Sequence, residues 1–173
     1  MQIREFRYPE DYPQVESLWA SMEKGVNLGR SDTPEEIQKK VAHDPHLFLV
    51  AEENGQIIGT VIGGFDGRRG LIYHLAVTAS FRGRGVGSRL MEELESRLRA
   101  MGCIRCYLLV TTDNDEAMHY YEKRGWEHMT WVVPYGKNLV LRWAILIPAQ
   151  MEAEETTSAM ECTASALRAR LPA

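Results

Sequence analysis

Between the apolar run Leu71 to Val77 and a segment of helical period that starts at Val86, three glycines alternate in Phe81-Arg82-Gly83-Arg84-Gly85-Val86-Gly87-Ser88-Arg89-Leu90. A chain that feeds a strand into a helix through such a turn is constrained to layer helices on a sheet. Without Cβ atoms the backbone can curl until successive N–H groups point into one concavity, and the open donors and dipole of the helix start add positive potential. Arg82, Arg84 and Arg89 add full charges nearby. A pyrophosphate is the natural guest, because it offers several acceptors and at least two negative charges. A dinucleotide fingerprint is excluded, since G-x-G-x-x-G read from Gly83 requires glycine where Ser88 stands. A Walker loop is excluded as well, because no Lys followed by Ser or Thr closes the turn. The alternative is a glycine-rich turn whose arginines simply face solvent.

An anion site here has to be local. The 173 residues carry 20 Lys and Arg against 24 Asp and Glu, a net charge of -4, so no bulk cationic field draws nucleic acid or anionic lipid. Neither is expected as a partner. The length suits one domain with a sizeable core. No stretch reaches the roughly 18 uncharged apolar residues of a spanning helix, since even Leu139 to Ile147 contains Arg142. The charged start, Met1 to Arg7, does not read as an export signal. Cysteines number three, Cys103, Cys106 and Cys162, an odd count that argues against a disulfide framework and for a cytoplasmic location. The Cys103-x-x-Cys106 pair lacks a second pair at zinc spacing and opens an apolar run, so it reads as buried strand thiols.

The remaining periodicities fill in the elements. Ile3 to Arg7 alternates like a strand, and Tyr12, Val15, Leu18, Trp19 and Met22 repeat at helical spacing. Thr33-Pro34-Glu35-Glu36 supplies a capping hydroxyl, a first-turn proline and acids for a second helix to about His43. Leu47 to Glu52 and Gln56 to Phe65 form a hairpin around Asn54-Gly55, a pair that tolerates positive φ. Leu71 to Val77 is the next strand. Val86, Leu90, Met91, Leu94, Leu98 and Met101 mark one face of a helix that ends at Gly102. Ile104 to Val110 reads as a continuous apolar strand, Asp115 to Arg124 as a short helix, and Trp126 to Val133 as a strand before Pro134. Leu139 to Ile147 reads as a last strand, with residues 148–173 a helix or loose tail beyond a domain at 1–147.

The turn meets the pattern [RQ]-x-x-G-x-[GA] with Arg82, Gly85 and Gly87. A second pattern, Asn-x-x-Ala-x-x-x-Tyr-x-x-x-Gly-aromatic, is met downstream by Asn114, Ala117, Tyr121, Gly125 and Trp126. On these two ordered motifs the chain resembles the GNAT superfamily of acyl-CoA-dependent N-acyltransferases, from its first strand to about Leu139. It looks closest to small bacterial members of the YpeA type, with relatives among ribosomal-protein N-terminal acetyltransferases. The resemblance implies an α+β fold with a mixed antiparallel and parallel sheet, helices on both faces, and two central strands that splay to admit an acyl-CoA arm. It implies acetyl-CoA as donor, no metal, and direct attack by an amine of a small molecule or peptide. Homodimers are common in the family; Leu139 to Ile147 would supply such a surface or cover its own sheet edge.

Residue by residue, the resemblance assigns the pyrophosphate to Arg82, Gly83, Arg84, Gly85, Val86, Gly87 and Ser88. It assigns the pantetheine arm and thioester oxygen to the strand Leu75, Ala76 and Val77. Asn114 and Ala117 match positions beside the cofactor arm, although Asn114 suits a helix cap equally well. Tyr121 matches the phenol that protonates the leaving thiolate; with an ordinary pKa near 10 it is protonated at pH 7. Tyr120 suits a packing role. A general base is less plain, because Leu109 stands where ribosomal-type relatives carry glutamate, which puts a protein N-terminus in doubt as substrate. His74 is a candidate replacement, with Glu52 and Glu53 through water as others. The first two helices and their connection, Trp19 to Asp32, would wall the acceptor site with Met22, Glu23, Lys24, Asn27 and Arg30. The rival reading is an acyl-CoA-binding sensor that keeps the loop without turnover.

Overall fold

A computed structural model describes residues 1–139. The expected strand from Leu139 to Ile147, the tail 148–173 and Cys162 lie outside these residues, save Leu139 itself. The elements are β1 (Gln2–Glu5), α1 (Tyr12–Ala20), a 3-10 turn (Arg30–Asp32), α2 (Pro34–His43), β2 (Phe48–Glu53), β3 (Gln56–Phe65), β4 (Gly70–Val77), a second 3-10 turn (Ala79–Phe81), α3 (Val86–Ala100), β5 (Cys106–Leu108) and α4 (Asp115–Lys123). The strands join in sequence order, antiparallel from β1 to β4, with β5 parallel to β4. This is the α+β mixed sheet that the motifs imply. These elements lie in one compact unit, Met1–His128; residues 129–139 belong to a second.

Local chemistry explains the elements. At the β2–β3 turn Asn54 has φ +52° and Gly55 φ +78°, the positive pair that a tight hairpin needs. Thr33 caps α2, its side chain accepting from the Glu36 N–H, with Pro34 in the first turn and Glu35 and Glu36 at the positive end. Strand alternation then splits the core over two faces. On one, Phe48, Val50, Ile57 and Ile62 pack with Val15, Leu18 and Trp19 of α1 and Ile37 of α2. On the other, Leu49, Ile58, Val61 and Ile72 meet Leu90, Met91, Leu94 and Leu98 of α3. Each of these α3 side chains is at most 2% exposed and contributes about 2 kcal/mol of burial. Two glycines let α3 approach: a Cβ at Gly59 would stand 3.0 Å from Leu90, and one at Gly63 would stand 2.8 Å from Leu94.

Charge closes the opposite sheet edge. Arg4 donates to Asp11 and to Glu52, tying β1 to the start of α1 and to β2. Burial alone would raise the Asp11 carboxyl, yet Arg4 and the Arg7 N–H hold it below its usual range.

Three expectations need correction. The first strand ends at Glu5 rather than Arg7. The apolar run Ile104 to Val110 yields only the three residues of β5, with Ile104 92% and Leu109 74% exposed. A parallel strand needs its neighbour, and β5 pairs only with Gly70, Leu71 and Ile72 before β4 turns away. Residues 126–133 form no strand. They pair with no strand among the described residues, and the Val132 N–H closes a turn onto Met129 O.

Candidate active site

The sheet opens at β4. Thr60 pairs with Ala76 and Ile62 with Tyr73, so His74 and Leu75 together oppose the single residue Val61. That is a bulge, and its first residue, His74, has φ +54°, in the left-handed region that non-glycine residues rarely enter. The strain is held by a buried relay. Trp19 Nε1–H donates to Thr60 Oγ1 at 2.9 Å, and the Thr60 hydroxyl donates to the His74 carbonyl at 3.1 Å. Beyond Ile72 the β5 side of β4 carries no paired strand among the described residues, so the backbone of Leu75, Ala76 and Val77 has no strand partner on that side. Leu75 and Val77 are half-buried and Ala76 is buried.

The glycine turn lies just beyond this strand. Arg82 Nε–H donates to Val77 O at 3.2 Å, and its guanidinium reaches Met22 Sδ at 3.6 Å. Gly83 and Gly85 have φ +72° and +78°, and a Cβ on either would meet nothing within 4 Å. Gly85 is the N-cap of α3, and no side chain caps this helix, so its first-turn amides lack an intrahelical partner. Arg84 stacks over Phe81, 5.0 Å from the ring centre. Val86 is buried, which fixes the helix start, and Ser88 O accepts from Arg124 at 3.4 Å. The turn is therefore an open, glycine-lined, positively biased cradle of the kind that suits an anion.

Helix α4 flanks it. Asn114 Oδ1 accepts from the Ala117 N–H at 3.2 Å, which makes Asn114 the cap of α4 and makes Ala117 its partner. The connection after α1 reaches across to this corner: Lys24 Nζ donates to Asp113 O at 2.8 Å, and Gly25 lies against Asn114. Tyr121 packs on the α3 side of the core between the rings of Tyr120 and Trp126, at 5.1 and 5.9 Å. Burial, assisted by Tyr120 and opposed by Arg124, pushes its phenol up to about 12, so it carries a proton throughout the neutral range. Tyr120 packs by its ring beneath Arg124, while its hydroxyl is buried without a partner near Gly87.

A cleft of about 280 Å³ lies beside the bulge, and Asp32, Ile37, Lys40, Ile62, Tyr73 and His74 are among the residues that line it. The His74 side chain is only 16% exposed, and its Nε2 stands 2.9 Å from Asp32 Oδ1. Burial lowers its pKa below the ordinary value of 6.5, although Asp32 pulls the other way, so the ring is neutral at pH 7. Burial also lowers Lys40 despite its short pairing with Asp44. The other candidate bases are engaged elsewhere. Glu52 pairs with Arg4 at 2.7 Å, and Glu53 with the terminal amine at 3.4 Å.

As site residues, Trp19 and Asp32 are legible in the sequence only as the ends of the segment expected to wall the acceptor site, and Thr60 not at all. Asp32 is 42 positions from His74, and no spacing rule links them. The expectation of two buried strand thiols holds only in part: both are half-buried against Gly70, Cys106 opens β5 and is raised by burial, but Cys103 lies before the strand, its thiol donating to Arg105 O at 3.3 Å. Among the described residues no group of three or more His, Cys, Asp or Glu gathers to hold a metal. His46 faces Glu5 at 2.9 Å. No helix there is long and apolar enough to cross a membrane.

Comparison with known proteins gives one family and a consistent set of structures. Residues 12–126 match the model of the acetyltransferase (GNAT) family. The chain is similar to Ard1 from Thermoplasma volcanium, with 30% identity over 72% of this chain and 80% of that one, and a TM-score of 0.60. It is similar to Naa20 of Chaetomium thermophilum, solved with a bisubstrate analogue, at 25% identity over 72% and 70% of the two chains and a TM-score of 0.61. Glucosamine-6-phosphate N-acetyltransferase from Arabidopsis thaliana shares the fold, with 21% identity, 80% and 98% coverage and a TM-score of 0.62.

Proposed function

Given that this chain belongs to the acetyltransferase (GNAT) family, we propose that it moves an acetyl group from acetyl-CoA to a primary amine by direct attack in a ternary complex. One observation carries the reading: β4 parts from β5 beyond Ile72, and its free stretch runs into the open cradle at Gly83 and Gly85. Arg82, Arg84 and the amides of residues 83–88 hold the pyrophosphate. The backbone of Leu75, Ala76 and Val77 lines the pantetheine arm, with Asn114 and Ala117 at its edge.

The amine must be neutral to attack, and His74, half-buried and neutral, takes its proton. A C–N bond forms at the thioester carbonyl, the C–S bond breaks, and the departing thiolate takes the proton of Tyr121 Oη to leave as the thiol; the second proton, lost by the nitrogen as the amide forms, restores the phenol. A phenol held near 12 keeps that proton available at neutral pH. The acceptor, a small molecule or peptide amine, is read into the cleft beside His74. The catalytic domain is assigned to residues 1–147, with 148–173 an extension, and an acyl-CoA donor suits a cytoplasmic protein.

The test is acetyl-CoA consumption, read as free thiol, against polyamines, amino acids, aminoglycosides, amino sugars and N-terminal peptides. Amine-dependent release is expected and names the acceptor class. Acetyl-CoA binding by calorimetry with no release from any amine would favour the sensor reading. Absence of binding would sink the assignment of the cradle.

A further inference from the structure

The ring of His74 is held by its neighbours. Trp19 and Tyr73 meet it edge to face, with centroids at 4.7 and 5.5 Å, and the Thr60 hydroxyl pins its carbonyl. Its Nε2 is sealed from solvent and lies 2.9 Å from Asp32 Oδ1, an approach that is short but bent away from an ideal hydrogen bond. Asp32 itself does not swing freely. Its Oδ2 accepts the Gly29 N–H at 2.7 Å, and its backbone carbonyl accepts the Tyr12 hydroxyl at 2.9 Å. The Asp32 side chain is 7% exposed, although it sits in a polar connection where solvated acids are the rule.

An ionised carboxylate only accepts hydrogen bonds. Were Nε2 of a neutral ring unprotonated, two acceptors would face each other at 2.9 Å with no water between them. The proton of neutral His74 therefore belongs on Nε2, and the lone pair on Nδ1. We propose that Asp32 is a positioning residue, which fixes His74 as its Nε2–H tautomer so that Nδ1 is the atom that takes the proton of the attacking amine. This rests on the reading of His74 as general base. The reaction then proceeds with Asp32 unchanged: the amine proton moves to Nδ1, the imidazolium is stabilised by the adjacent carboxylate, and the proton leaves to solvent after acyl transfer.

Asparagine at position 32 tests this sharply. Its amide oxygen keeps the Gly29 N–H, so its NH₂ is turned toward Nε2, which must then accept. The proton is driven to Nδ1 and the base is lost. Titratable groups around the ring are few: Asp32 on the 3-10 turn, Tyr73 on the same strand, Lys40 on α2 and Asp44 at its C-cap, and Tyr12 on α1 behind Asp32. Of these only Asp32 touches a ring nitrogen.

The experiment is ¹⁵N imidazole NMR on the full chain, combined with steady-state kinetics using the acceptor found by the thiol assay. In the unmodified protein at pH 7.5 the His74 shifts are expected to report Nε2–H; an Nδ1–H signature overturns the proposal without any variant. Asp32→Asn is expected to reverse the tautomer and lower kcat about 100-fold. It should also move the acid limb of kcat/KM to lower pH, because the neighbour that favoured the charged ring is gone, and leave acetyl-CoA affinity within about twofold, which shows that the variant folds. An Asp32→Asn variant with unchanged kcat and acid limb overturns the positioning role while His74→Ala still falls. If His74→Ala keeps full kcat, it is the base assignment that fails, and the positioning role for catalysis falls with it.

Discussion

Tyr121 and His74 sit in different environments, and burial moves both toward their neutral forms. For a phenol that means keeping the proton it is to donate, and for an imidazole it means lacking the proton it is to accept. Tyr121→Phe removes the donor while keeping the ring between Tyr120 and Trp126. It is expected to lower kcat about 100-fold with acetyl-CoA affinity within about twofold; calorimetry and thiol release measure the two, and undiminished turnover would remove Tyr121 from the chemistry. The pH dependence has a defined sign. A base that works when deprotonated gives a rate that climbs with pH through its folded pKa, here below 6.5, and is level above it. The kcat/KM profile is expected to show that acid limb, with no fall from Tyr121 until pH nears about 12. The two roles were not equally legible. Tyr121 stands in a spaced motif and was readable, whereas the value of His74 depends on Asp32, Thr60 and Trp19, which only the fold brings to it.

At the level of elements, two glycines on either side of α3 do opposite work. Gly59 makes room for the helix, since a Cβ there would meet Leu90, Val86 and the Ala76 carbonyl at 3.0 to 3.1 Å. Gly85 makes room for a ligand, with nothing within 4 Å and a φ of +78°. Gly59→Ala is therefore expected to cost about 1–3 kcal/mol by overpacking, seen as a lower Tm, with acetyl-CoA affinity retained. Gly85→Ala is expected to weaken acetyl-CoA about tenfold by calorimetry, with a smaller loss of Tm from backbone strain of about 1 kcal/mol. The reverse pattern would mean that the cradle is structural and the binding surface lies elsewhere. The same contrast explains what could be read in advance. Caps, turn pairs and a helical stripe are local, so the hairpin, α2 and α3 were placed nearly to the residue. The length of β5 is not local, because it depends on where β4 bulges, and the bulge at His74 has no glycine or proline to announce it.

On the scale of the whole molecule, charge and site pull in opposite directions. The chain carries a net charge of -4, yet the reading asks it to hold a polyanionic donor beside Arg82, Arg84 and Arg89. Composition could exclude a broad cationic surface, but not say whether three arginines and a helix start outweigh the acids spread over the rest. Salt separates the two contributions. Raising it from about 0.1 to about 1 M shortens the screening length from about 10 to about 3 Å, which removes distant repulsion first and then weakens the local attraction. If the cradle governs binding, acetyl-CoA affinity is expected to fall about tenfold over that range. In Arg82→Ala the fall should be shallower, because one of the local charges has been removed. Affinity that rises with salt would show long-range repulsion dominating, and would require the donor to be held away from this turn. Equilibrium titration at several salt concentrations, for both proteins, decides between them by the sign of a single slope.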